Sequence, residues 1–288
     1  MTTPPVSSAA KTPFISILLA TYNWPSALAL CLQSLRGQTD LDFEILIADD
    51  GSREDTRTLL QEVSKDFLVP VKHLWQEDLG FRKSKILNLA IQEALGEYLV
   101  FLDGDCIVQP DFVAQHRRLS KRNQMITGSR ILLSEQATKT LAPPNLDLVG
   151  ASAVIDKLFS NELGAEINKP KSNFLMMRLK RQINKVLPLL LKLPNHPLRP
   201  YPAHVWKRIK GCNMSCWRED AIKIDGFDES FEGWGHEDAD FVFRLEETGV
   251  RRISGSYATE VIHLWHRTNP SDQEKVNKER VLRRIRRQ

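Results

Sequence analysis

Asp103-Gly104-Asp105 sets two carboxylates around a glycine. Such a pair can face one divalent cation while the backbone approaches closely. A cation held there would bridge diphosphate oxygens and offset the charge that develops on a leaving group. D-x-D alone also arises in surface turns. Asp49-Asp50-Gly51-Ser52 offers a carboxylate that can accept from a uracil N–H or a ribose hydroxyl; capping of the next helix through Ser52 or Asp50 is the alternative. Gly233-Trp234-Gly235-His236-Glu237-Asp238 is the most unusual string. Two glycines around a tryptophan make a tight turn, and an aromatic face suits the apolar side of a sugar ring. A carboxylate beside it can act as general base toward a hydroxyl, although acidic residues also suit a helix start. His263-Leu264-Trp265-His266 has a spacing that binds metal weakly by itself and offers a third ligand beside Asp105. Phe81-Arg82-Lys83-Ser84-Lys85 stands at a helix start, where cations attract phosphate, or else forms a solvated basic turn. Cys212 and Cys216 are spaced C-x3-C without a second pair, which is no zinc framework.

The elements that must position these groups are readable in outline. Nearly continuous apolar runs at 14–20, 43–48, 71–75 and 98–102 predict strands, the first of them buried on both faces. Helical periodicity predicts helices over 26–35 behind Pro25, 52–65 with Ser52 as N-cap, 84–95 stopped by Gly96, and 110–122. Strand–helix alternation with short connections means a parallel sheet with right-handed crossovers. Such sheets bind ligands at the carboxyl ends of their strands, where Thr21-Tyr22-Asn23, Asp49–Ser52 and Asp103–Asp105 all fall. Past residue 135 the pattern changes. Leu175, Leu179, Ile183 and Leu187 recur every four residues among Arg178, Arg181 and Lys185, which predicts a basic amphipathic helix over 174–186. Five prolines between 188 and 202 then predict a loop.

The 288 residues suit one large domain, or a domain with a subdomain. No apolar run approaches the roughly 18 residues of a membrane span. The first residues lack a basic region followed by an apolar run, so the expectation is a loose tail, not a secretory leader. Four cysteines without framework spacing then read as reduced thiols in the cytoplasm. The net charge of +4 is mild but uneven: residues 171–210 carry ten Lys or Arg and no Asp or Glu, and 275–288 carry seven against one. One-sided basic stretches suit an anionic partner such as phospholipid or phosphorylated glycan, or else a solvated face. Little aromatic interleaving accompanies them, which argues against nucleic acid.

These residues resemble glycosyltransferase family 2 enzymes of the GT-A fold, an α/β Rossmann-like sheet flanked by helices. The C-terminal part is similar to the galactosyltransferase segment of β-1,4-galactosyltransferases, polypeptide GalNAc-transferases and bacterial chondroitin-type synthases. The likeness covers roughly 14–135 and 205–268. Phe81-Arg-Lys-Ser-Lys-Ile-Leu-Asn88, Asp103-Gly-Asp105, Gly226-Phe-Asp-Glu229 and the Gly233–Asp238 string carry it. The resemblance implies roles. Tyr22 and Asp50 would contact uracil; Phe81 and Lys83 would contact the nucleotide; Asp103 would touch ribose or metal. Asp105 and His266 would bind Mn2+ or Mg2+, His266 matching the family's histidine better than His263. Trp234 would meet donor or acceptor sugar. Glu237 and Asp238 would handle the acceptor, with Asp238 as base in an inverting displacement. Gly104, Cys106 and His236 depart from the usual pattern, and 136–205 matches no familiar segment.

The expected activity is transfer of a hexose or N-acetylhexosamine from a UDP-sugar to a glycan or lipid-linked glycan, in building bacterial surface polysaccharide or lipopolysaccharide. The alternative is a non-catalytic nucleotide-sugar or carbohydrate-binding module. The expected divisions are a tail (1–12), a nucleotide-sugar half (13–135), a basic helical insertion (136–210), an acceptor-side segment (211–270) and a basic tail (271–288). Residues 174–187 and 275–288 would meet an anionic membrane surface, which makes the protein peripheral on the inner face of the cytoplasmic membrane.

Overall fold

The computed structural model describes residues 12–159, 171–206, 209–231, 233–267 and 272–286. Apart from Thr12, the expected N-terminal tail lies outside them. The first half alternates as the hydrophobic runs require: β1 (Ile15–Thr21), α1 (Pro25–Arg36), β2 (Phe43–Asp49), α2 (Glu54–Asp66), β3 (Val71–Trp75), α3 (Lys83–Glu93) and β4 (Tyr98–Asp103). Next come β5 (Cys106–Val108), α4 (Phe112–Leu119), β6 (Gln124–Thr127), β7 (Arg130–Leu132), α5 (Glu135–Leu141), α6 (Leu148–Phe159), α7 (Lys171–Leu179) and α8 (Leu187–Leu190). The chain closes with β8 (Asn213–Trp217), α9 (Arg218–Lys223), α10 (Glu237–Glu247), β9 (Arg251–Ser254), β10 (Val261–His263) and α11 (Asp272–Arg286).

Seven strands form the main sheet in the order β3-β2-β1-β4-β8-β6-β9. β3, β2, β1 and β4 are parallel, and every residue of β1 and β2 is buried, as a sheet covered on both faces demands. β8 then runs antiparallel to both β4 and β6. A smaller sheet, β5-β10-β7, stands beside the end of β4. Apolar side chains fill both faces of the main sheet. Among the described residues no helix is long and apolar enough to cross a membrane.

Four expectations about elements need correction. Helix 52–65 begins at Glu54, and Ser52 caps nothing: its hydroxyl accepts from the Asn23 N–H (2.9 Å), which ties the ends of β1 and β2 together. Gly96 does not end α3 as a left-handed cap. Ala94 ends it in extended geometry, and a Cβ on Gly96 would lie 2.5 Å from the Ser16 nitrogen, so glycine is there for close packing on β1. The long basic helix is one short helix. α7 stops at Leu179, Arg181 turns the chain with φ +55°, and Ile183 pairs with Leu133 as an isolated bridge. The basic tail after 271 is the helix α11. Its Val281 is fully buried, and Arg284 reaches Asp240 (2.7 Å) and Asp228 (3.5 Å).

Candidate active site

Three strand ends come level at the carboxyl edge of the main sheet. Ala20 stands opposite Asp103, and Thr21 opposite Asp49. Gly104 folds back so that its N–H donates to the Ala20 carbonyl (2.7 Å). Above this edge lies a cleft of about 590 Å³. Tyr22, Asp50, Phe81, Lys83, Asp103, Asp105, Trp234, Glu237, Asp238 and His266, every site residue expected from the sequence, line it.

One side of it is built on β1–β3. Asp50 is buried, with one carboxylate oxygen accepting from Gln76 Nε2 (2.5 Å) and the other from the Arg82 N–H (2.8 Å). Burial still leaves its carboxyl above the ordinary aspartate value. Tyr22 is half exposed and donates its hydroxyl to Asp78 (3.0 Å), leaving its ring open to the cleft.

The middle of the cleft is held by α3. Lys83 is its first residue, and its ammonium meets Asp103 Oδ1 at 2.5 Å. Burial alone would lower the Lys83 pKa, but the carboxylates of Asp103 and Glu237 outweigh it and raise it. Further along the same helix, Asn88 clamps the Gly226–Glu229 turn. Its Oδ1 accepts from the Phe227 N–H (2.7 Å), and its Nδ2 donates to the Phe227 carbonyl (2.9 Å) and Glu229 (2.9 Å). Gly226 has φ +68°, and a Cβ there would strike Asn88. Phe227 stacks on Phe241 of α10 at 4.2 Å and meets Phe101 of β4 edge-on. Two of the sequence motifs thus act together: one clamps the other and seats α10 against the strand that ends in Asp103.

The arrangement that could hold a metal depends on the small sheet. Antiparallel pairing sets His263 opposite Cys106, and Leu264 N–H donates to the Asp105 carbonyl (2.9 Å). Asp105 Oδ2 then lies 3.5 Å from His263 Nε2 and 3.4 Å from His266 Nε2. His263 Nδ1–H donates to the Leu264 carbonyl (2.7 Å), and His266 Nδ1–H to the Arg267 carbonyl (3.1 Å). A carbonyl can only accept, so in the neutral rings both Nε2 lone pairs face Asp105. Fixing the tautomer through the other ring nitrogen is how metal-binding histidines are oriented. Burial lowers the His263 pKa, which favours the neutral ligand form, and burial raises that of Asp105 against the pull of His263. The residues fit a divalent cation: one carboxylate and two imidazoles converge, with Asp103 close by. His263 thus joins His266, although the sequence favoured His266 alone. Arg130, Lys210 and Arg267 also line the cleft and carried no pattern that singled them out.

The opposite wall of the cleft is the Gly233–Asp238 turn. Gly233, Gly235 and His236 all have positive φ (+72°, +113° and +71°). α11 packs behind it so closely that a Cβ on Gly233 would lie 2.8 Å from Gln273 Cγ. Trp234 is exposed at the mouth. Glu237 and Asp238 open α10 but differ in surroundings. Glu237 is buried, one of its oxygens has no partner, and burial together with Asp238 raises its pKa to about 7. Asp238 is half-buried, and its Oδ2 accepts from the Gly211 N–H (2.8 Å).

Comparison with known proteins agrees with this geometry. The glycosyl transferase family 2 model matches residues 16–158, and a model described as the N-terminal domain of galactosyltransferase matches 199–267. The chain is 27% identical to the chondroitin synthase of Escherichia coli over 85% of this chain and 34% of that protein. It is 26% identical to the hyaluronan synthase of Pasteurella multocida over 92% of this chain and 26% of that one, and 25% identical to a validoxylamine A glucosyltransferase of Streptomyces hygroscopicus subsp. limoneus over 86% and 51%. It spans a quarter to a half of the length of these relatives. Among solved structures, the fold is similar to GalNAc-T7 with UDP, GalNAc and Mn2+ (TM-score 0.60, 17% identity, 95% of this chain and 48% of that one). It is also similar to the mannosyltransferase PcManGT of Pyrobaculum calidifontis with GDP-Man and Mn2+ (0.57, 15%, 98% and 68%). The chain belongs to glycosyl transferase family 2 and carries a transferase domain of the GT-A fold.

Proposed function

We propose that this chain is a metal-dependent, inverting glycosyltransferase that moves a hexose or N-acetylhexosamine from a UDP-sugar to a glycan acceptor. The carrying observation is the convergence of Asp105, His263 and His266 at one end of a cleft whose other wall is Trp234, Glu237 and Asp238. The structural neighbour solved with UDP, GalNAc and Mn2+ supports a UDP-sugar donor and a divalent ion. The building of bacterial surface polysaccharide or lipopolysaccharide is the setting we assign to this chain.

In this reading Asp50 and Tyr22 hold the base, and Phe81 closes over the nucleotide. Lys83 holds Asp103 in place and adds positive charge beside the diphosphate. Asp105, His263 and His266 would hold Mn2+ or Mg2+, which when bound stabilises charge on the departing diphosphate. Trp234 supports a sugar ring. Asp238, fixed by the Gly211 N–H, takes the proton from the acceptor hydroxyl as that oxygen attacks the anomeric carbon. Glu237 sits behind it, next to Lys83, and shapes the field of the site. The inner face of the cytoplasmic membrane is the setting that fits a lipid-linked acceptor. α7 and the turn after it offer the contact, because α11 spends Arg280 and Arg284 on its own protein.

The test is UDP release from UDP-galactose, UDP-N-acetylglucosamine and their relatives, with Mn2+, with Mg2+ and with chelator. Release that needs a divalent ion, and that Asp105→Asn abolishes, is the expected result. Folded protein that releases no UDP from any donor would overturn the proposal, and sugar binding without turnover would favour a binding module.

A further inference from the structure

The cleft wall holds a second group of ligand atoms, two of them thiols that sugar transfer does not use. Cys106 Sγ, Cys212 Sγ and a ring nitrogen of His263 all lie within 4.8 Å of one another, and all three residues are buried. The arrangement follows from topology. β5–β10 pairing puts Cys106 opposite His263, and Cys212 stands at the entrance to β8, the neighbour of β4. Asp105 Oδ1 lies 3.6 Å from Cys106 Sγ.

We propose that Cys106, Cys212 and His263 form a second metal site, for a thiophilic divalent ion such as Zn2+, that shares His263 with the donor-metal site. Three points of chemistry support it. First, the ligand types differ from those around Asp105. Thiolate sulfur selects zinc, whereas carboxylate oxygen suits manganese and magnesium. Second, the spacing fits. Zinc bound at about 2.3 Å from sulfur and about 2.0 Å from nitrogen keeps ligand atoms roughly 3.5–4 Å apart. The observed upper limit of 4.8 Å therefore closes with a shift of about an ångström. Third, an access route exists, because Cys212 lines the cleft itself. Asp105 is placed to supply a fourth ligand, which completes a tetrahedral set of two thiolates, one imidazole and one carboxylate.

Binding releases the two thiol protons to solvent and forms two metal–sulfur bonds; no redox partner is needed. Because His263 serves both groups, and Asp105 does too where it completes the inner set, an ion in the inner site removes ligands from the outer one. That consequence rests on the donor-metal reading above, whereas the site itself does not. Zn2+ should therefore inhibit Mn2+-supported transfer without competing against the donor sugar.

The test uses the reduced full chain and Co2+ alone, with no sugar present. Titration should produce a thiolate-to-cobalt charge-transfer band in the near ultraviolet that added Zn2+ erases. Cys106→Ala and Cys212→Ser should each lose the band. Cys106→Ala should keep Mn2+-dependent UDP release and need about 10–100-fold more Zn2+ for inhibition. If a variant fails to fold, alkylation of the wild-type protein decides instead: Zn2+ should slow the reaction of Cys212, the thiol that lines the cleft. Co2+ binding without a thiolate band, a band that survives loss of either cysteine, or alkylation unaffected by Zn2+ would each overturn the site. Failure of sugar transfer would leave the optical result intact, so the two proposals fail separately.

Discussion

Glu237 and Asp238 are adjacent carboxylates in different environments. Glu237 is enclosed and holds its proton up to about pH 7, while Asp238 reaches the cleft and is fixed by a backbone N–H. Pairs of acids whose surroundings differ in this way divide the work of a site. Asp238→Asn should lower kcat by about 10²–10⁴-fold with donor affinity unchanged, since a positioned base contributes on that scale. Stopped UDP release beside unaltered calorimetric donor binding is the expected pair of readings. Wild-type turnover in the variant would move the base elsewhere. The identity of both acids was legible in the sequence because they sit in one short string. Their difference was not, because it comes from how deeply each is buried at the start of α10: Glu237 is enclosed, while Asp238 stays open to the cleft and to the Gly211 N–H. His263 was similarly obscured: a single H-x-x-H does not show that β5–β10 pairing turns the first histidine toward Asp105.

At the scale of elements, the alternating first half was legible almost strand for strand. Continuous apolar runs have one reading when each is followed by an amphipathic helix. The later segments carried a misleading period. Leu175, Leu179, Ile183 and Leu187 keep helical spacing, yet only Ile183 is buried, against Leu133, after the chain has left the helix. Leu175, Met176 and Leu179 instead form an exposed apolar face on α7, with Arg178, Lys180 and Arg181 exposed around them. Basic residues near anionic lipid contribute about 1 kcal/mol each, and inserted apolar side chains add to this. The protein should co-sediment with vesicles containing anionic lipid, and less so as salt rises. Leu175→Ser with Leu179→Ser should weaken binding while leaving UDP release with a soluble acceptor unchanged. Equal sedimentation of the variant would remove α7 as the contact.

For the whole molecule, buried acids set how stability responds to pH. Glu260 is fully buried with one oxygen unpartnered, and burial raises its pKa to about 7 from 4.5. Glu237 is raised to the same value. In both, the folded state binds the proton more tightly than the unfolded state. Their contribution is therefore complete below about pH 4.5 and is lost as pH rises through about 7. Glu260→Gln keeps an acceptor for the Tyr257 N–H and cannot ionise. Its Tm should exceed that of the wild type at about pH 8 and approach it near pH 5, flattening the profile. A parallel offset at both pH values would assign the effect to packing.

The antiparallel strand β8 has one more consequence, which belongs to synthesis and not to catalysis. It is the second neighbour of β4, and Tyr98 finds Ser215 across 117 positions of sequence. Until that much more chain has left the ribosome, β4 presents an unpaired, almost wholly apolar edge. Distant pairings of this kind form slowly, and open strand edges invite association between chains. The nascent first half is therefore the stage at which this protein most needs a chaperone, and a fragment ending before β8 should aggregate where the whole chain stays dispersed.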